Sequence, residues 1–143
     1  MEETDRPDLP ILFHHAIRTQ IAYGVGVALW QLTGLWLIAS GRAPLGPTAS
    51  GQVAVFAIAS TTTLVALARW RPGLYVTLSA LIGLPALLTI RNAFLADPTL
   101  WPSPWTRWGG VALNALGILA PTLAFLGWRR IREAGPSRGG LAR

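Results

Sequence analysis

The sequence predicts an all-α membrane protein, a four-transmembrane-helix bundle that reads as two tandem helical hairpins. Three observations lead there. No acidic residue stands between Asp8 and Asp97, and none again between Asp97 and Glu133. Four long apolar runs fill those gaps. The 143 residues are 52% hydrophobic and 13% charged, whereas ordinary soluble domains carry about 25% charged residues. A soluble fold of this length would lack polar side chains for its surface, so a bilayer is the better solvent.

The elements follow in order. Residues 1–18 form a polar, interfacial segment: Glu2, Glu3, Asp5 and Asp8 come first, and Leu9–Phe13 then leads to His14 and His15 at the membrane surface. The first apolar run spans residues 19–40. It is not a secretory leader, because acids precede it and it exceeds the roughly 7–15 residues of a signal core. The second run, 51–68, closes on Arg69-Trp70-Arg71-Pro72-Gly73, a tight hairpin. The third spans 74–92 and the fourth 108–128. At about 1.5 Å per residue, runs of roughly 17 to 22 residues cross a hydrocarbon core of ~30 Å. Backbone groups in lipid must bond within their own segment, so each run is expected to be helical. Asp97–Trp105 holds too many prolines for a helix and is expected as an external loop on the headgroups. Trp101, Trp105 and Trp108 either anchor it there or form a lid or docking surface. Residues 133–143 read as a disordered basic tail.

All 12 basic residues are arginine. With four spans, Arg6, Arg18, Arg69, Arg71, Arg129, Arg130, Arg132, Arg138 and Arg143 share one side, and Arg42, Arg91 and Arg107 the other. That asymmetry places both termini in the cytoplasm, in the inner membrane of a bacterium. The arginine, alanine, glycine and proline bias suggests a GC-rich genome. The net charge of +6 is therefore read as topology, and no nucleic-acid partner is expected.

Small residues mark the packing faces. In the fourth run Gly109, Gly110, Asn114, Gly117, Ala120, Pro121, Ala124 and Gly127 lie on one side, with the bulky residues opposite. Gln20, Gly24, Ala28 and Gln31 make a stripe in the first run; Ala54, Ala57, Thr61 and Ala68 one in the second; Tyr75, Ser79 and Gly83 one in the third. Small residues let helices approach where lipid removes the hydrophobic driving force. Gly24, Gly83, Gly110 and Gly117 are thus the expected contact points. Gln31, Asn114, Ser79 and Thr61 are expected inside, with interhelical hydrogen bonds worth about 0.6 to 2 kcal/mol each. Pro85 and Pro121 fall mid-span and are expected to kink their helices.

Gly34-Leu35-x4-Ser40-x-Arg42 matches Gly83-Leu84-x4-Thr89-x-Arg91, a hint of a repeat. The run Gly34-Leu35-Trp36-Leu37-Ile38-Ala39-Ser40, followed by Leu45-Gly46, resembles the start of the helical hairpin in SPW-repeat membrane proteins, small bacterial proteins with two such hairpins. The family's Ser-Pro-Trp is replaced at the matching place by Ser40-Gly41-Arg42, and the literal Ser103-Pro104-Trp105 stands elsewhere. The resemblance implies a 2+2 helical architecture and transfers no activity.

The chemistry is sparse. His14 and His15 are adjacent and point apart on a helix, so they do not suit a haem held between spans. There is no cysteine, and no carboxylate is placed to complete a metal site. No cofactor or catalytic set is expected. Small multidrug exporters of similar length depend on a membrane-buried Glu, which this chain lacks. Arg42 and Arg91 close two spans at one mouth; they either draw an anion or lipid phosphate there or snorkel to headgroups. Arg129, Arg130 and Arg132, beside Trp128, read as an anchor on an anionic leaflet. The leading expectation is an accessory or scaffolding subunit in the lipid bilayer, acting through helix contacts with another membrane protein or itself. A channel or facilitator for a small neutral or anionic solute is the alternative.

Overall fold

The computed structural model describes residues 10–133. Its helices are α1 (Ile11–Ala39), α2 (Gly51–Trp70), α3 (Pro72–Leu95) and α4 (Pro104–Glu133), with a single 3-10 turn at Pro98–Leu100 between the last two. All four are long and apolar enough to cross a membrane. The fold is the all-α four-helix bundle that the sequence predicts, and it fits a small multi-pass membrane protein.

The helices run alternately up and down. Gly24 of α1 meets Thr61 of α2, Gly109 of α4 meets Trp30 of α1, and Gly73 of α3 meets Trp128 of α4. Each helix packs on two neighbours: α1 on α2 and α4, and α3 on α4 and more lightly on α2. At one end, here the terminal end, lie the start of α1, the end of α4 and the α2–α3 link. The α1–α2 and α3–α4 connections form the loop end.

The helix boundaries have local causes. Gly41 adopts φ +73° after α1, where any side chain would be strained. Arg42 N–H donates to Leu37 O at 2.9 Å and Gly41 N–H to Ile38 O at 2.9 Å, the paired bonds that satisfy orphan carbonyls at a glycine-stopped helix end. Ser50 caps α2 by accepting from Val53 N–H at 3.4 Å. Only Arg71 separates α2 from α3, and Pro72 opens α3 at a position where a missing N–H costs nothing. Ahead of α4, Thr106 N–H donates to Ser103 Oγ and Ser103 N–H to Thr106 Oγ1, both at 3.2 Å, a reciprocal cap.

Two boundaries differ from the sequence expectation. Helix α1 starts at Ile11 rather than near residue 19, because Phe13 and Ala16 are fully buried and give its first two turns a packed face. His14 and His15 on the opposite side are exposed. Helix α4 starts at Pro104 and runs to Glu133. The cap from Ser103 extends it at the front, and an Arg129–Glu133 ion pair at 2.9 Å, one turn apart, supports it at the back. The expected disordered tail lies, beyond Glu133, outside the described residues.

The core is asymmetric. Phe13, Ala16, Leu64, Ala68, Tyr75, Val76 and Ala124 form one buried cluster, all of it at the terminal end. The Phe13 and Tyr75 rings meet edge-on at 5.2 Å and 61°, the orientation their quadrupoles favour.

Candidate functional site

Gly24, Gly83 and Gly117 lie against a neighbouring helix of this chain, and Gly110 lies against Trp101 of the α3–α4 connection. A Cβ on Gly24 would strike the Thr61 hydroxyl. On Gly117 it would stand 2.7 Å from the Tyr23 ring and 2.8 Å from Ala86 Cβ, and on Gly83 2.9 Å from the Gly117 carbonyl oxygen. On Gly110 it would stand 3.2 Å from the Trp101 ring. The small faces are therefore used up in closing the bundle, and the outer surface is left to Leu29, Phe56, Leu81, Leu88 and their like.

The polar residues behave differently from expectation. Gln31 Oε1 accepts from Ser50 N–H at 2.8 Å and ties α1 to the head of α2. Asn114 Nδ2 donates to Gly110 O at 2.8 Å within its own helix, and Ser79 Oγ donates to Val76 O at 3.0 Å. Thr61 Oγ1 is buried without a partner. The expected interhelical network thus shrinks to one bond, because a short polar side chain on a helix always has a carbonyl of its own previous turn in reach.

The arginines are also dispersed. Arg42 lies over the Trp36 ring at 5.2 Å, and Arg91 is exposed on the last turns of α3. Arg129 is held by Glu133, Arg130 is exposed, and Arg132 rather than either covers Trp128, at 4.9 Å. The arginine with a structural role is Arg107. Its Nε donates to Ala93 O at 2.6 Å, filling one of the carbonyls orphaned at the end of α3, and it stacks on Phe94 at 5.8 Å.

At the loop end the bundle is hollow. A chamber of about 180 Å³ lies among all four helices and both connections. Trp30, Gln31, Thr89, Trp101 and Asn114 line it. An inner compartment of about 90 Å³ reaches Gln20 and Thr61, and Tyr23, Val27, Val53 and Pro85 line both spaces. The sequence leaves Trp101 either as a headgroup anchor or as part of a lid or docking surface. Its Nε1 is buried, without a partner, whereas Trp105 is 86% exposed. The irregular segment turns the first indole inward and leaves the next on the rim. Gly46, Gly109 and Gly110 leave room for the indoles: a Cβ on any of them would stand 3.4 Å or less from the Trp30 or Trp101 ring. Trp30 was not singled out from the sequence. The signal available was that Trp30 stands mid-span, away from any interface.

A second hollow faces outward. Between α3 and α4 a furrow of about 380 Å³ opens on the apolar surface, lined by Ala80, Gly83, Leu87, Pro121 and Phe125 among others.

Comparisons of the chain with protein-family models, curated proteins and solved structures find no match.

Proposed function

We propose that the chain is a multi-pass protein of the bacterial cytoplasmic membrane, termini inward, that serves as an accessory or scaffolding subunit by seating a transmembrane helix of a partner. The observation that carries this reading is the α3–α4 furrow. Here the exposed Ala80 and the seam residue Gly83 leave an opening between α3 and α4 that the larger Leu87, Pro121 and Phe125 border. In lipid, helices associate through close packing rather than hydrophobic transfer. A furrow that admits a side-chain knob from a neighbouring helix is the surface feature such packing uses.

The chain has no cysteine, so Ala80→Cys provides a unique handle. Cross-linking in intact membranes from position 80 is expected to give one defined adduct, while Leu29→Cys, on the bulky face of α1, gives none. Ala80→Leu, which fills the furrow without touching the internal seams, is expected to weaken the same association. A monomer from both positions would refute the reading, and a self-adduct would assign the furrow to a second copy.

A facilitator for a small solute is the second reading, and the chamber favours it at one end only. The way onward is blocked by the Phe13–Tyr75 core, and no arginine lines the chamber, which disfavours an anion. Liposomes holding the protein are expected to show no solute flux above protein-free liposomes.

A further inference from the structure

The loop-end chamber has the size, charge and hydrogen-bonding groups of a ligand site. Its volume of about 180 Å³ is close to that of apolar protein cavities known to hold one aromatic ring, about 150 Å³. None of its lining side chains, nor those of the inner compartment, is Asp, Glu, Arg or His. An ion placed there would lose its water without gaining a counter-charge, so the occupant is uncharged.

Three groups in the lining keep unused bonding capacity. Trp101 Nε1 is a buried donor with no acceptor, a state that destabilises a fold until something fills it. Gln31 has its carbonyl committed to Ser50 N–H, which leaves its NH2 group as a donor. Asn114 has its NH2 group on Gly110 O, which leaves its Oδ1 as an acceptor. Deeper in, Thr61 is 7% exposed and its hydroxyl lacks a partner. Two indoles, those of Trp30 and Trp101, stand in the lining. Flat aromatic walls favour planar guests.

We propose that this chamber binds a small, neutral, planar molecule bearing a hydrogen-bond acceptor beside an N–H donor, such as a primary aromatic amide. The acceptor is taken by Trp101 Nε1 and the Gln31 NH2 group, and the donor by Asn114 Oδ1. The site stands whether the bundle docks a partner or passes a solute.

The test uses the purified full chain in nanodiscs with benzamide as probe, read by saturation-transfer NMR against empty nanodiscs. Benzamide is expected to bind saturably. Benzoate and benzamidinium, its charged isosteres, are expected to bind at least tenfold more weakly. Trp101→Phe keeps the ring and deletes the donor; Asn114→Leu keeps the volume and deletes the acceptor. Each is expected to weaken benzamide by roughly three- to tenfold. Thr89→Phe, at an exposed rim position, is expected to block the chamber without disturbing the fold, and Leu29→Ala to change nothing. Benzamide signal equal to that of empty nanodiscs would mean the chamber holds water only and would overturn the proposal. So would equal binding of the charged isosteres, or binding that survives Trp101→Phe, Asn114→Leu and Thr89→Phe.

Discussion

Gly83 and Gly117 show how one residue position sets a helix seam. Pro121 has no N–H, so the Gly117 carbonyl four residues earlier loses its helical partner. Gly83 packs on that oxygen, where a Cβ would stand 2.9 Å away, with the Pro121 ring at 3.3 Å. Only a hydrogen fits between them. Gly83→Ala forces two backbones apart and is expected to destabilise the bundle by about 1–3 kcal/mol, seen as a lower midpoint in detergent-induced unfolding. Tyr75 makes the opposite case. Its ring is fully buried but its hydroxyl has no partner, so the polar atom is a liability while the ring packs on Phe13. Tyr75→Phe is expected to leave stability unchanged or raise it by about 1 kcal/mol; a clear loss in the same unfolding assay would show that the hydroxyl is satisfied by water or lipid. These roles were only half legible. The spacing of Tyr75, Ser79 and Gly83 marks a buried face, but nothing in it says which member meets a bare carbonyl.

The α3–α4 connection is the element whose behaviour depends most on chemistry outside the spans. Asp97 accepts from Thr99 N–H at 2.8 Å and so starts the 3-10 turn. That backbone hydrogen bond, with a further contribution from the Thr99 side chain, holds the Asp97 carboxyl below the ordinary carboxylate range. A carboxyl whose folded pKa is depressed stabilises the fold above its unfolded pKa, and the contribution is lost as pH falls through the folded value. Amide protection at Thr99, read by hydrogen exchange, is therefore expected to hold at neutral pH and to fall only at acidity beyond that of a free aspartate. Asp97→Ala removes the protection at every pH. Proline content identified this stretch as non-helical, but the inward setting of Trp101 depends on room left by Gly46 and Gly110, which are distant in sequence. The early start of α1 was hidden for a related reason: Leu12 and Phe13 look interfacial until Tyr75 is placed against them.

For the whole molecule the decisive contrast is between its two ends. The terminal end is filled by the Phe13–Tyr75 cluster, and the loop end is hollow. Orientation enters at the same scale. Among the described residues Arg18, Arg69, Arg71, Arg129, Arg130 and Arg132 belong to the terminal end and Arg42, Arg91 and Arg107 to the loop end, and the preference of positive flanks for the cytoplasm makes an inward solid end the proposed orientation. A reporter fused to the C-terminus is expected to be active only if cytoplasmic, and the protein to stay in the lipid pellet after a salt wash. An external reporter would invert the molecule and turn the chamber toward the cytoplasm.

The sequence by itself determined four helices, their approximate spans and the faces they bury, because hydropathy and residue size act locally and repeat at the helical period. Of the glycines singled out that way, Gly24, Gly83 and Gly117 lie between helices and Gly110 faces the Trp101 ring. The tertiary structure decided where polar groups find partners and where packing fails. Asn114 turned to its own helix, Arg42 lay over Trp36, and Trp101 closed over a chamber. Those outcomes depend on distances between segments far apart along the chain, and such distances are set only when all four helices are packed at once.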